Sequence, residues 1–272
     1  MLEIDEGLRQ GDCMGGGSQQ DERKDKIAAA FGAAAAGYDD HADVQRIAAR
    51  MVADLASLLS LPDAPQILEI GCGTGLLTRE IGGRWPSAKL VATDLAADMV
   101  ARAADGAMIA GTFLPMDGES PWFDGPHFDL ILSSLAFQWF DDLPLAVARL
   151  NGLLRPGGSL IFSTMGERSF ARWRAAHAAC GVAAGVADYP SLAALQSMLA
   201  AYPDAFAFDE EYPVEWGSAR GLMTHLKGIG ASVPTPGRAP LGAGALRRVM
   251  AIFDAEGARD DYHVLFARVT RI

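Results

Sequence analysis

The chain has 272 residues, half of them hydrophobic, and a formal net charge of −11. That length and apolar share suit one large α/β domain, or a domain with a cap, around an ample core. The acidic balance disfavours nucleic acid as a partner, no apolar run reaches the length of a membrane span, and the N-terminus lacks a secretory layout.

Residues 1–24 carry Gly15-Gly16-Gly17-Ser18 and Gln19-Gln20 among mixed charges, and read as a disordered leader. Residues 25–272 form the folded domain. Its first part, 25–60, reads as a helical lid. An alanine-rich helix over Ile27–Ala36 carries Phe31 and breaks at Gly37-Tyr38-Asp39-Asp40-His41. A second helix follows over Val44–Leu59, with Ile47, Met51, Leu55 and Leu58 spaced as its buried face.

Strands and helices then alternate. Ile67, Leu68 and Ile70 form a short apolar run that reads as a buried strand, and three glycines at alternate positions lead into a helix over Leu76–Arg84. Strand Lys89–Thr93 ends in Asp94. A helix over Ala97–Ala104, a short strand near Ala107–Ala110, strand Phe128–Ser133, helix Leu143–Leu154 and strand Ser159–Thr164 come next. Helices at Phe170–Cys180 and Ser191–Ala201 precede a strand over Phe206–Trp216. Helices Ala219–Ile229 and Ala245–Ala255 flank a loop with Pro234, Pro236 and Pro240, and Tyr262–Val269 is the last strand. The alternation predicts a doubly wound, mostly parallel α/β sheet of seven strands, with residues 217–256 inserted as a helical cap between the last two.

Ligands in such sheets sit at the carboxyl ends of the strands, where Gly71 to Gly75, Asp94, Thr112 and Ser134 to Trp139 fall. The glycine pattern is G-x-G-x-G rather than the dinucleotide G-x-G-x-x-G. Glu69 precedes it, which suits an amino group or cation and repels pyrophosphate. Asp94, at the tip of the second strand, is placed to accept both ribose hydroxyls. A nucleoside without pyrophosphate is implied, and S-adenosylmethionine fits: adenosine, a sulfonium and an amino-acid tail. Cys13, Cys72 and Cys180 have no metal spacing and read as free thiols in a reducing cytoplasm, Cys72 being a small filler in the turn. Between Glu215 and Asp254 there is no acid, while Arg220, Lys227, Arg238, Arg247 and Arg248 lie inside that window. A basic segment in an acidic chain points to an anionic substrate or partner.

Leu68-Glu69-Ile70-Gly71-Cys72-Gly73-Thr74-Gly75, Asp94, Phe128-Asp129-Leu130 and Leu154-Arg155-Pro156-Gly157-Gly158 resemble the signature of the class I S-adenosylmethionine-dependent methyltransferases. Ile27 to Gly32, Tyr38, His41-Ala42-Asp43 and Gln45-Arg46 resemble, more narrowly, the N-terminal segment of the malonyl-acyl-carrier-protein O-methyltransferases, the BioC family of biotin synthesis. So do Ser134 to Trp139, Leu226 to Ala231 with Gly237-Arg238, and Tyr262-His263. One departure stands out. The family carries Gly-Asp after its third strand, near the adenine amino group, where this chain has Gly111-Thr112.

The resemblance implies a Rossmann-like fold and methylation of the free carboxylate of a malonyl thioester, presented on an acyl carrier protein or coenzyme A. It gives Glu69, Gly71, Gly73, Asp94 and Ser134 to the cofactor, with Thr112 taking the adenine contact. Tyr38 and Gln45 would close over cofactor or acceptor, and Gln138 and Trp139 would line the transfer pocket. Arg238 or Lys227 would pair with the malonyl carboxylate, and Arg220, Arg247 and Arg248 would dock the acidic carrier. A carboxylate is already ionised at neutral pH, so no general base or metal is called for, and His41, His225 and His263 read as hydrogen-bonding or packing residues. Two competing readings remain: methylation of a free small acid, and a non-methylating assembly factor that binds the same cofactor.

Overall fold

The computed structural model of the protein describes residues 19–233 and 241–272. Seven strands form one sheet: β1 (Gln66–Ile70), β2 (Lys89–Asp94), β3 (Gly111–Pro115), β4 (Phe128–Ser133), β5 (Leu154–Met165), β6 (Phe206–Glu215) and β7 (Arg259–Thr270). Their order is β3-β2-β1-β4-β5-β7-β6. The first five run parallel, and β7 pairs antiparallel with both β5 and β6. The doubly wound, mostly parallel sheet of the sequence reading is therefore the fold of the molecule.

The parallel strands are buried on both faces, so they read as unbroken apolar runs. Successive side chains alternate between faces. Ile67, Leu90 and Leu130 turn toward α2 (Asp43–Ala56) and α3 (Leu76–Arg84). Leu68, Ile70, Val91 and Ile131 turn toward α5 (Leu143–Leu153) and α7 (Leu192–Leu199). The cap consists of α8 (Ala219–Gly228) and α9 (Ala243–Ala255), inserted between β6 and β7 as expected. Val249 and Phe253 of α9 join the first core layer, where Trp173 of α6 (Ala171–Ala179) meets Phe253 edge-on at 5.2 Å.

Three boundaries differ from the sequence reading. The first helix, α1, runs Gln19–Ala34, so residues 19–24 are helix rather than leader; residues 1–18 lie outside the described residues. Salt bridges from Arg23 to Asp141 and from Lys24 to Asp117 and Glu119 hold that first turn on the sheet edge. In α2 the buried face is Val44, Gln45, Ala48, Ala49, Val52, Ala53 and Ala56, while Ile47 is 47% exposed and Leu58, beyond the helix end, 80%. The helix packs so closely on α3 and the sheet that alanines fit beneath it and the larger side chains are displaced to the rim. The third strand is Gly111–Pro115, not Ala107–Ala110. The apolar run before it serves a helix contact, with Ile109 packed against Gly82 of α3 while Met108 is exposed.

Candidate active site

At the carboxyl edge, the chain leaves β1 through a left-handed turn. Gly71, Gly73 and Gly75 have φ of +70°, +54° and +89°. The Cys72 N–H donates to the Thr93 carbonyl at 2.8 Å, fastening the turn to β2. A Cβ on Gly71 would lie 2.4 Å from the Ala136 Cβ, whereas one on Gly73 would meet nothing within 4 Å. Gly71 is thus fixed by close approach of the loop after β4, and Gly73 leaves an open cradle. Asp94 sits beside it. One of its oxygens accepts the Gly73 N–H at 2.9 Å and the other the Ala96 N–H at 2.9 Å. Burial raises the Asp94 pKa, and these backbone donors pull it back.

This turn forms the floor of a cavity of about 750 Å³, counting the space at its mouth, lined also by Lys24, Tyr38, Asp117, Glu119, Ser134 and Trp139. α1 forms one wall of it: Lys24 Nζ reaches Asp117 at 2.6 Å and Glu119 at 2.7 Å. Phe31 meets Trp139 edge-on at 5.3 Å. Arg23 donates to the Trp139 carbonyl at 2.9 Å. The Thr74 hydroxyl donates to Asp39, which also faces Arg79 at 3.4 Å, so the turn after α1 is tied to the glycine loop.

A second cavity, of about 950 Å³, lies beside the first. Phe31, Tyr38, Leu135 and Trp139 line both, and so mark where the two meet. The second is largely apolar, walled by Met165, Phe170, Leu226 and Ile229, with Arg23, Gln45, Gln138, Tyr189 and Tyr262 among its polar groups. Leu135 is held at φ +50°, a left-handed conformation costly for leucine, by N–H bonds to the Ser163 carbonyl and hydroxyl. Its carbonyl accepts the Gln138 amide at 2.5 Å. Burial raises the Tyr38 pKa, with Asp94 and Asp39 adding to the rise, so its phenol stays protonated.

The first cavity fits the cofactor expected from the sequence. Its charged lining is Asp94, Asp117, Glu119 and Lys24, and the lysine is engaged by two of those acids. That surplus of carboxylate suits a cationic nucleoside and opposes a pyrophosphate. Among the described residues no group of three or more His, Cys, Asp or Glu stands close enough to hold a metal ion, and no helix is long and apolar enough to cross a membrane.

Comparison with known proteins places this geometry. Residues 41–202 match the methyltransferase-domain family. The chain is 36% identical over 254 residues to the malonyl-acyl-carrier-protein O-methyltransferase of Magnetococcus marinus, covering 92% of this chain and 93% of that one. This chain belongs to the malonyl-acyl-carrier-protein O-methyltransferase family. It is a methyltransferase. The Erwinia pyrifoliae protein of the same name is 33% identical over 236 residues, covering 84% of this chain and 82% of that one. The biotin biosynthesis bifunctional protein BioCD of Bordetella avium is 40% identical over 243 residues; 89% of this chain matches, but it spans only 51% of that protein. Among solved structures, the YcgJ protein of Bacillus subtilis has a TM-score of 0.57 at 14% identity, covering 81% of this chain and 98% of its own. That likeness shows the open α/β fold.

With the family in hand, the residues singled out in the sequence divide clearly. Gly71, Gly73, Asp94 and Ser134 line the first cavity, Gln45 and Gln138 the second, and Tyr38 and Trp139 both. Glu69 and Thr112 line neither. Glu69 is fully buried behind the glycine turn, turned toward α3, where its carboxylate accepts the Thr78 hydroxyl at 2.6 Å. Thr112 pairs with Val91 in the first half of edge strand β3 and is exposed, short of the carboxyl end. Asp117, two residues beyond that end, lines the first cavity where Thr112 does not, and sequence reasoning did not single it out. The turn after Pro115-Met116, carrying Asp117-Gly118, was the available signal. Arg220, Lys227, Arg247 and Arg248 are exposed on the cap and line neither cavity. Arg238 lies outside the described residues.

Burial pushes the Glu69 pKa up to about 8, outweighing the Thr78 hydrogen bond that favours the charged form. Unfolded, the group ionises near its ordinary value of about 4.3. Folding therefore takes up a proton across that window, and the ligand-free fold loses stability as the pH rises through it. Glu69→Gln is expected to remove this loss. Its Tm relative to the unsubstituted protein should rise steadily between pH 5 and pH 8, as read by thermal denaturation; a constant difference would place the ionisation elsewhere.

Proposed function

We propose that this chain transfers the methyl group of S-adenosylmethionine to the free carboxylate of a malonyl thioester, giving its methyl ester early in the building of the pimeloyl chain of biotin. The observation that carries this reading is the junction of two unlike cavities at Phe31, Tyr38, Leu135 and Trp139. One is acidic and glycine-floored; the other is apolar with a few neutral donors and one arginine, already paired with Asp141.

When bound, S-adenosylmethionine supplies an electrophilic methyl group on a sulfonium. Asp94 would hold the ribose, Asp117 the adenine amino group, and the Gly71–Gly73 backbone the amino-acid tail. The acceptor carboxylate is ionised at neutral pH, with a pKa near ~4, so no residue has to remove a proton from it. What the chain supplies is alignment and exclusion of water. Tyr38, Phe31 and Trp139 provide both by walling the junction, with residues 19–60 as the lid and α8 and α9 as the cap. The ester removes a charge that an apolar chain-elongating pocket would reject.

Arg220, Lys227, Arg247 and Arg248, on an acidic protein, are the surface we assign to an acidic carrier protein. No ion pair is recorded for these four among the described residues. Raising the salt from about 50 to 300 mM is expected to raise KM for malonyl-carrier protein several-fold more than KM for malonyl-coenzyme A. Equal sensitivity would remove the patch from the reading.

The deciding experiment follows transfer from methyl-labelled S-adenosylmethionine to malonyl-carrier protein, malonyl-coenzyme A and free malonate in parallel. A base-labile methyl ester on the thioesters and none on malonate is the expected result. Transfer to malonate alone would make this a free-acid methyltransferase. No transfer to any acceptor, with the cofactor still bound, would leave a non-methylating binding protein.

A further inference from the structure

Inside the second cavity one buried hydroxyl is built in an unusual way. Tyr262, on β7, is 2% exposed, yet it lines that cavity. Its ring is clamped by Phe170 at 5.0 Å, edge-on, and by Trp216 at 6.2 Å. Its oxygen lies 2.9 Å from His225 Nε2, on the cap helix α8. The Gln45 side chain, from α2, is a second polar group beside it in the cavity wall. The Gln45 Oε1 is buried and has no hydrogen-bond partner among the described residues. Lid, cap and sheet thus converge on one phenol.

The protonation states follow from the surroundings. Burial, and His41 beside it, push the His225 pKa down to about 4, so the ring is neutral and carries one proton. Burial raises the Tyr262 pKa, and the nearby Tyr38 phenol adds to the rise, so Tyr262 keeps its proton. We assign the His225 proton to Nε2, so that the Tyr262 oxygen accepts from the imidazole. Its own O–H is then left to point into the cavity, where it needs an acceptor.

We propose that the Tyr262 hydroxyl holds the acceptor carboxylate for methyl transfer, with His225 and Gln45 as positioning residues that fix its direction; this rests on the carboxylate-methylation reading above. The charge inventory of the cavity supports it. Arg23 is the one charged side chain lining the cavity among the described residues, and it is engaged by Asp141 and the Trp139 carbonyl. A neutral donor also suits the chemistry better than a guanidinium. A planar fork engages both carboxylate oxygens and damps their nucleophilicity, whereas one O–H holds one oxygen and leaves the other free. The arginine pairing expected of Arg238 falls outside the described residues; within them, Tyr262 fills that part.

The test compares the unsubstituted protein with Tyr262→Phe, His225→Gln and His225→Leu. Each is assayed for methyl transfer to malonyl-coenzyme A, for S-adenosylmethionine affinity by calorimetry, and for inhibition by acetyl-coenzyme A, which lacks the carboxylate. Tyr262→Phe is expected to lower kcat/KM about 10- to 100-fold, the loss of one hydrogen bond to a charged group. Cofactor affinity and acetyl-coenzyme A inhibition should stay within twofold. His225→Gln, which keeps an N–H donor, should stay near the unsubstituted rate, and His225→Leu should follow Tyr262→Phe. A Tyr262→Phe rate within threefold overturns the proposal, as does a parallel loss of acetyl-coenzyme A binding, the mark of a packing role. If Tyr262→Phe does not fold, the two His225 variants decide it, equal rates overturning the proposal. Absence of transfer by the unsubstituted protein overturns the malonyl reading and this proposal together, a result distinct from all the others.

Discussion

Asp94→Asn is expected to weaken S-adenosylmethionine binding about 100-fold or more, with a much smaller effect on the fold. The carboxylate stands between the glycine loop and the start of α4 (Ala97–Gly106), accepting one N–H on each oxygen at 2.9 Å. Asparagine keeps one acceptor and sets an NH₂ against the other N–H, so the loop loses one of its two fixings. It also removes the charge meant for the two ribose hydroxyls. Hydrogen bonds to a charged group contribute about 1.5–3 kcal/mol each. Two of them lost correspond to roughly 100-fold in affinity at the lower bound. Calorimetric titration with S-adenosylmethionine and its demethylated product measures this directly. A change under threefold would show that Asp94 only braces the loop and that the ribose sits elsewhere.

That prediction was available from the chain alone because the signal is local. A strand, three glycines, a helix and an acid at the next strand tip occupy fewer than thirty consecutive residues, and backbone geometry dictates what each does. The buried parallel strands were equally legible, since Ile67, Leu68 and Ile70 are enclosed on both faces. β3 was not. It is an edge strand with no fully buried side chain, so its apolar pattern is weak and the run before it, around Ile109, is stronger. That shift moved Thr112 to the carboxyl edge on paper and hid Asp117.

Other misreadings share a cause: the partner surface decides what a residue does. Alanine carries little hydrophobic signal, yet in α2 it is the alanine face that is buried, because close helix approach excludes larger side chains. Glu69 looked like a ligand group beside the glycines. The strand's alternation turns it away from the cavity and onto Thr78. Tyr262 enters the sequence reading only through the family resemblance, because its neighbours Gln45 and His225 come from elements far from it in sequence. Lys227 looked available for a malonyl carboxylate, but it is Leu226 on α8, and Ile229 just past its end, that face the cavity.

Two glycine substitutions are expected to separate folding from binding in the first cavity. Gly71→Ala should cost both. The residue is at φ +70°, where an L side chain is strained by roughly 1–2 kcal/mol. The new Cβ would also lie 2.4 Å from the Ala136 Cβ. Relieving that clash means moving the turn at Leu135, itself already left-handed at φ +50° and bonded to Ser163. Overpacking of this kind adds about 1–3 kcal/mol. A Tm drop of roughly 10 °C is expected for a domain of this size, with cofactor binding lost because Gly71 and Leu135 both line the cavity. Gly73→Ala meets no atom within 4 Å and carries only the left-handed strain, at φ +54°. Its Tm should fall by about 2–6 °C. Its methyl group, however, would stand in the open cradle beside Asp94, so S-adenosylmethionine affinity should fall tenfold or more, about 1.4 kcal/mol per tenfold. Thermal denaturation with and without the cofactor reads both quantities from one sample. Undiminished cofactor stabilisation in Gly73→Ala would mean that the open side of the turn does not face the ligand, and would move the amino-acid tail away from the glycine loop.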